Sequence, residues 1–180
     1  PGDSIKYCKS PSTTILPSEP PQIVNLPVQL RVNQYSSATV TCDASGAPAP
    51  TLTWLYNGAI LSTSAAVTIT EEAFTNDNIT QRGSQGKRSV LLLHNVTHVN
   101  NKGSYTCLAA NFRAPDATSS ADLKIFVPPS EVRPPLDVSS SETATARFDC
   151  NMYAVPAARI TWYKDGKLLY ASADIQFSTD

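Results

Sequence analysis

The chain repeats itself at an offset of 108 positions, and this repeat constrains the fold more than any other feature. Cys42 aligns with Cys150, and Thr53-Trp54 aligns with Thr161-Trp162. Further matches at the same offset, without insertion, are Pro20-Pro21 with Pro128-Pro129, Pro27 with Pro135, Pro48 with Pro156 and Asn57-Gly58 with Asp165-Gly166. So many matches at one offset indicate a tandem repeat of one fold.

The residue pattern within the first copy is typical of short β-strands. Runs of Val, Ile, Leu and Thr alternate with turn residues, and no 3.6-residue apolar period appears. In the run from Ala38 to Cys42 threonines alternate with Ala, Val and Cys, so one face of a strand would be buried. The run from Leu52 to Tyr56 alternates in the same way and is followed by Asn57-Gly58, a pair suited to a tight hairpin. The sequence therefore predicts an all-β fold.

Cys42, Trp54 and Cys107 occur in the order and approximate spacing of an immunoglobulin-type sandwich. The run Asn101-x-Gly103-x-Tyr105-x-Cys107-x-Ala109-x-Asn111 closely resembles the E-to-F region of intermediate-set (I-set) immunoglobulin domains. The resemblance implies a Greek-key β-sandwich in which Cys42 and Cys107 form a disulfide and Trp54 packs against it. It also implies a tyrosine corner at Tyr105 and, in the second copy, a core position for Trp162.

One residue departs from the family pattern. Asn101 stands where the family usually has aspartate. The salt bridge that this aspartate commonly makes is therefore not assured here, although an amide can still form a hydrogen bond.

The repeat and the resemblance together divide the chain into three parts. Residues 1–20 are predicted to be a Ser/Thr/Pro-rich linker or the end of an upstream module. Residues 21–128 are predicted to be a complete Ig-like I-set domain, and residues 129–180 the N-terminal part of a second, truncated one. The position 108 residues after Cys107 lies past Asp180, so Cys150 lacks its repeat-related partner, and Cys8 and Cys150 are predicted to be unpaired.

Charge and composition argue against several function classes. The net charge of -1, from 14 basic and 15 acidic residues, gives no field that would attract nucleic acid. No C-x-x-C pair occurs, and His94 and His98 follow a β-like run rather than a helical one, so no metal or other cofactor is predicted. Neither histidine has a nucleophile context such as Gly-x-Ser-x-Gly, so we predict no catalytic residue and no enzyme.

Three features remain as candidate sites. Asn78-Ile79-Thr80 and Asn95-Val96-Thr97 are N-glycosylation sequons. Residues 81–88 hold three cations, which fit a solvated hairpin better than a heparan-binding or partner-binding loop. No residue stands out as a contact hot spot, and Phe74 and Phe112 are candidates only as aromatics that we expect to be exposed.

The preferred function is that of an extracellular recognition module of a cell-surface adhesion molecule or receptor. Its partners would be protein ligands or cell-surface counter-receptors, including a second copy, on the extracellular side of the plasma membrane or in secreted form. No run of about 18 apolar residues occurs, so a membrane anchor is expected outside this sequence. The alternatives are the ligand-binding ectodomain of a receptor tyrosine kinase and an intracellular structural array of the giant muscle-protein type. In the latter, Cys42 and Cys107 would remain buried thiols.

Overall fold

The computed structural model describes residues 18–74 and 85–178. This part of the chain holds strands and one single-turn helix, α1 (His98–Asn101). The strands are β1 (Glu19–Asn25), β2 (Gln29–Asn33), β3 (Ala38–Ala47), β4 (Thr51–Tyr56), β5 (Ala59–Ile60), β6 (Val67–Phe74), β7 (Gln85–Leu93), β8 (Gly103–Ala110), β9 (Ala117–Arg133), β10 (Asn151–Val155), β11 (Tyr163–Lys164) and β12 (Lys167–Leu168).

The strands of the first copy form two facing sheets. The first sheet has the order β1-β3-β7-β6, and all of its pairs are antiparallel. The second sheet places β8 between β4 and β9, with β5 at one edge, and β2 pairs with β9 in parallel. The predicted all-β, immunoglobulin-like sandwich is confirmed.

Alternation along the strands forms the core between the two sheets. On β3, Ala38, Val40 and Cys42 are buried, whereas Thr39 is exposed. Trp54 and Tyr105 are the largest of the fully buried side chains. Other buried members of the core are Leu91, Leu93, Val96, Ala109, Ala121, Leu123 and Ile125. Full burial of one large aliphatic side chain contributes about 1.5–3 kcal/mol, so this cluster is a main source of stability.

The 108-residue offset is preserved in the pairing of the backbone. Glu19 on β1 pairs with Ala47 on β3, and Val127 on β9 pairs with Val155 on β10. The second pair is the first pair moved by 108 positions. The repeat seen in the sequence is therefore also a repeat of strand register.

The two hairpin turns repeat as well. Asn57 and Gly58, between β4 and β5, have φ of 48° and 86°. Asp165 and Gly166, between β11 and β12, have φ of 49° and 76°. Positive φ at both central residues defines a type I′ turn, for which Asn-Gly and Asp-Gly are the favoured pairs.

The two copies share a strand. β9 is 17 residues long and runs through the predicted boundary between residues 128 and 129. Its first part pairs with β8 of the first copy, and its last part pairs with β10 of the second copy. The last strand of one copy therefore continues directly as the first strand of the next.

Trp162, predicted to occupy a core position, is not fully buried in the structure. The structure places this indole half-buried, and the adjacent Tyr163 is 61% exposed. After β10, the described residues form only the small β11–β12 hairpin, so no second sheet covers the indole there. The repeat predicts the position of Trp162 along the chain, but burial needs a facing sheet.

Besides Cys42 and Cys107, the chain has two further cysteines, Cys8 and Cys150. Cys150 is half-buried and forms no disulfide. Cys8 lies outside the described residues, as do Asn78 and the side chain of Phe74.

Candidate interaction surface

A disulfide at the centre of the sandwich joins the two sheets. The Sγ atoms of Cys42 on β3 and Cys107 on β8 lie 2.06 Å apart, and both residues are fully buried. The bond spans 65 residues, for which the chain-entropy model gives about 4 kcal/mol of stabilisation. The disulfide expected from the resemblance is present, and it holds the two sheets together.

Trp54 lies beside this disulfide. It pairs with Cys107 across β4 and β8, and it is 1% exposed. Its Nε1–H donates a hydrogen bond of 2.9 Å to Oγ of Ser89, which is itself fully buried. Sequence reasoning missed Ser89, although its alternation with Leu91 and Leu93 on β7 places it on the inward face. The serine satisfies the single polar atom of the indole.

Tyr105 forms the contact expected of a tyrosine corner. Its hydroxyl donates a hydrogen bond of 3.0 Å to the backbone oxygen of Asn101. Burial, followed by the influence of Tyr56, whose ring centroid lies 5.0 Å away, raises the pKa of Tyr105 from 10.0 to about 12. The phenol therefore stays protonated, and able to donate, well above neutral pH.

The turn before Tyr105 depends on Gly103 and Asn101. A Cβ atom at Gly103 would lie 2.5 Å from Oδ1 of Asn57, closer than van der Waals contact permits. Asn101 Oδ1 accepts a hydrogen bond of 2.9 Å from the backbone N–H of Thr97. The amide that replaces the family's aspartate thus still holds this turn.

An ion pair that the sequence did not reveal lies on the outward side of the first sheet. Asp43 is 3% exposed, and its carboxylate accepts hydrogen bonds from Nε (2.6 Å) and Nη2 (3.0 Å) of Arg88. Glu72 lies 3.5 Å from the same guanidinium. Hydrogen bonding to Asp43, followed by its charge, raises the pKa of Arg88. Register places these three residues in one row across β3, β7 and β6.

Two of the cations of residues 81–88 are therefore engaged within the first sheet. Arg88 binds Asp43, and Lys87 forms an ion pair with Glu71. Arg82 lies outside the described residues. The described part of this segment thus acts in cross-strand pairing.

The two histidines lie in different surroundings. Nε2 of His94 is 3.0 Å from Oγ1 of Thr68, whereas His98 begins α1. Throughout residues 18–74 and 85–178, no three His, Cys, Asp or Glu side chains are grouped as a metal ion would require.

The outward side of the second sheet has a central area without charged side chains. On β4, β8 and β9, the outward-facing residues of this area alternate with buried ones. Ile60 on the edge strand β5 is 75% exposed. The Thr106 and Ser120 hydroxyl oxygens lie 2.8 Å apart, within hydrogen-bond distance. The area, here called the neutral face, consists of Thr51, Thr53, Leu55, Ile60, Thr106, Leu108, Ala110, Thr118 and Ser120.

The loop between β8 and β9 follows Ala110, the last residue of the neutral face on β8, and displays an aromatic ring. Phe112 is 99% exposed and has φ of 64°, a conformation that is uncommon for a bulky residue. The preceding Asn111 is buried, and its Nδ2 donates hydrogen bonds of 2.8 Å to the backbone oxygens of Glu19 and Pro48. Its Oδ1 accepts one of 3.2 Å from the backbone N–H of Arg113. Sequence reasoning named Phe112 and included Asn111 in the family run, but it did not indicate that Asn111 anchors the loop that carries Phe112.

Comparison with known proteins gives the family. Residues 20–111 match the immunoglobulin domain family, and residues 129–180 match the immunoglobulin I-set domain family. The chain is 32% identical to mouse protein sidekick-2 over 162 residues, which cover 89% of the chain and 7% of that protein. It is 30% identical to human hemicentin-1 (78% and 2% covered) and 30% identical to bovine neural cell adhesion molecule 1 (84% and 18% covered). The chain thus spans only a small part of these relatives.

A solved structure shows the same fold. The I-band fragment I67–I69 from titin is 25% identical and superposes with a TM-score of 0.66, which covers 86% of this chain and 50% of that one. Within the described residues, no helix is long and apolar enough to cross a membrane. From the sandwich, its central disulfide and indole, and both domain matches, the chain belongs to the immunoglobulin superfamily.

Proposed function

We propose that the chain is an extracellular recognition module of a cell-surface adhesion molecule or receptor, which binds protein partners without catalysis. The disulfide between Cys42 and Cys107 carries this proposal, because disulfides persist in oxidising compartments outside the cytosol. Similarity to neural cell adhesion molecule 1 supports the adhesion class. The module would act on the extracellular side of the plasma membrane, with its anchor elsewhere in the protein, or in secreted form.

The neutral face and Phe112 together form the contact surface in this proposal. Charged residues are depleted at the centres of protein interfaces, and exposed aromatic residues often anchor them. β8 and β9 contribute to the neutral face, and the loop that joins them carries Phe112. The fitting partner is a protein surface with an uncharged centre and an apolar pocket for the phenyl ring.

Homophilic binding is one form that this contact can take. Two copies of the neutral face meet without repulsion between like charges, which would cost several kcal/mol in a charged surface. The face is small, so the expected affinity of one pair is low, and many pairs acting together would hold two surfaces.

Bead binding tests the proposal. Beads coated with the full chain are mixed with one another, with cells and with extracellular matrix, and the bound fraction is measured. We expect binding that falls about tenfold or more with Leu108→Arg or Phe112→Ala, since hot-spot truncation costs about 2 kcal/mol or more. Thr70→Arg, on the exposed side of the first sheet, is the matched control and should bind as the unmodified chain does. Absence of any partner among beads, cells and matrix would refute the proposal.

The likeness to the titin fragment favours a second candidate, an intracellular structural array. In that role the tandem sandwiches would act as mechanical spacers. Labelling of intact cells with a membrane-impermeant amine reagent separates the two. The extracellular module is labelled before the cells are permeabilised, whereas a structural array inside the cell is labelled only afterwards.

A further inference from the structure

Two turns meet at the end of the first sandwich where β3 begins and β7 ends. The backbone N–H of Tyr35 donates to the oxygen of Val96 at 2.7 Å, and the N–H of Val96 donates to the oxygen of Ser36 at 2.9 Å. Val96 is fully buried. These bonds place Asn95, immediately before Val96, next to the turn that holds Tyr35.

Asn95 is presented to solvent by this arrangement. Its side chain is exposed, and its φ of 49° turns the chain away from β7. The sequence Asn95-Val96-Thr97 is the acceptor pattern for N-linked sugars. Among the described contacts, the Asn95 amide has no hydrogen bond that would compete with its modification.

Tyr35 is an exposed aromatic at a position where the fold requires positive φ. The residue is 69% exposed, and its φ is 67°. The turn is closed by a hydrogen bond of 3.2 Å from the N–H of Ser36 to the oxygen of Asn33. The second copy makes the same turn with Thr143 at φ of 68°. The backbone geometry therefore belongs to the repeat, whereas the aromatic ring is particular to the turn beside Asn95.

We propose that Asn95 carries an N-linked oligosaccharide and that the ring of Tyr35 packs against its first sugar. Nδ2 of Asn95 forms a bond to the anomeric carbon of an oligosaccharide supplied on a lipid diphosphate. The bond from that carbon to the phosphate oxygen breaks, the lipid diphosphate leaves with the electron pair, and one amide proton passes to a base. This inference rests on the proposed extracellular function, because the donor is met only on the secretory route.

The contact has a physical basis in the exposed ring. A tyrosine presents an apolar ring face together with a polar hydroxyl, and such side chains suit boundaries that are partly wet. A sugar that covers the ring removes apolar surface from water in the folded state alone, because the two turns are brought together only by folding. The sugar on Asn95 should therefore stabilise the first sandwich.

The test uses the full chain secreted from cultured animal cells, with Asn78→Gln in every variant so that Asn95 is the remaining sequon. Peptide mass mapping should find the Asn95 peptide glycosylated, and Asn95→Gln should remove that sugar. Enzymatic removal of the sugar should lower the Tm by about 4 °C. Tyr35→Gly, which tolerates the positive φ, should abolish this decrease, and Tyr35→Phe should retain it. Val99→Ala, an exposed apolar residue on α1, is the control and should retain it as well.

The outcomes distinguish this inference from the function on which it rests. A secreted chain with the disulfide formed but an unmodified Asn95 would overturn the inference and leave the extracellular function standing. An equal decrease in Tm with Tyr35→Gly would overturn the role of the ring. Retention of the chain in the cytosol with reduced Cys42 and Cys107 would instead refute the proposed function.

Discussion

Replacement of Ser89 by alanine should destabilise the first sandwich although the residue is small. The substitution removes the hydroxyl that accepts the Trp54 Nε1–H bond of 2.9 Å. Trp54 is 1% exposed and Ser89 is fully buried, so water cannot replace the lost acceptor. A buried donor without a partner costs about 1–3 kcal/mol, and we expect a loss in that range.

A double-mutant cycle isolates the hydrogen bond from the change in volume. Trp54→Phe removes the donor, and its cost includes the cavity that it leaves. In that background the Ser89 hydroxyl has lost its partner, so Ser89→Ala should be nearly neutral. The coupling free energy between the two sites should therefore be about 1 kcal/mol or more.

The assay is urea unfolding of the full chain, followed by circular dichroism because Trp54→Phe removes a fluorophore. The midpoint should fall with Ser89→Ala while the slope m is unchanged. Ser120→Ala on the exposed neutral face is the matched control and should change the unfolding free energy by less than about 0.5 kcal/mol. Equal costs of Ser89→Ala in both backgrounds would show that the bond contributes nothing.

Two further substitutions test the polar contacts of the sandwich. The pKa of Tyr105 is raised from 10.0 to about 12, so its contribution to the free energy of unfolding is complete below pH 10 and is lost as the pH rises towards 12. The free energy of unfolding should therefore exceed that of Tyr105→Phe by less at pH 11 than at pH 8. A constant difference between the two proteins would contradict this. Arg88→Met should lower the denaturation midpoint more than Lys87→Met, because Asp43, the partner of Arg88, is 3% exposed and would be left as an unpaired buried charge. Equal midpoints in thermal unfolding would refute that ranking.

The disulfide and the hairpin turns could be predicted from sequence because their signals are local or belong to a known pattern. Asn57 and Gly58 are residue types that favour positive φ, so the pair alone predicts its turn. Cys42, Trp54 and Cys107 are rare residues at typical spacings, and they meet at the centre of the sandwich.

The polar partners could not be predicted, because they depend on strand register. Ser89 meets Trp54 across 35 positions, and Asp43 meets Arg88 across 45. Serine, aspartate and arginine are common, and nothing in their neighbours indicates which strand lies opposite. Trp162 shows the converse case, since its sequence context predicts a buried position but the described residues provide no sheet to cover it.

Disulfide mapping of the protein purified from its native tissue tests the central claim most directly. The native protein is alkylated without reduction, digested and analysed by mass spectrometry. The account predicts one linked peptide pair that joins Cys42 to Cys107, with neither cysteine alkylated after unfolding in the absence of reductant. Alkylation of both cysteines in the unfolded, unreduced protein would contradict the account.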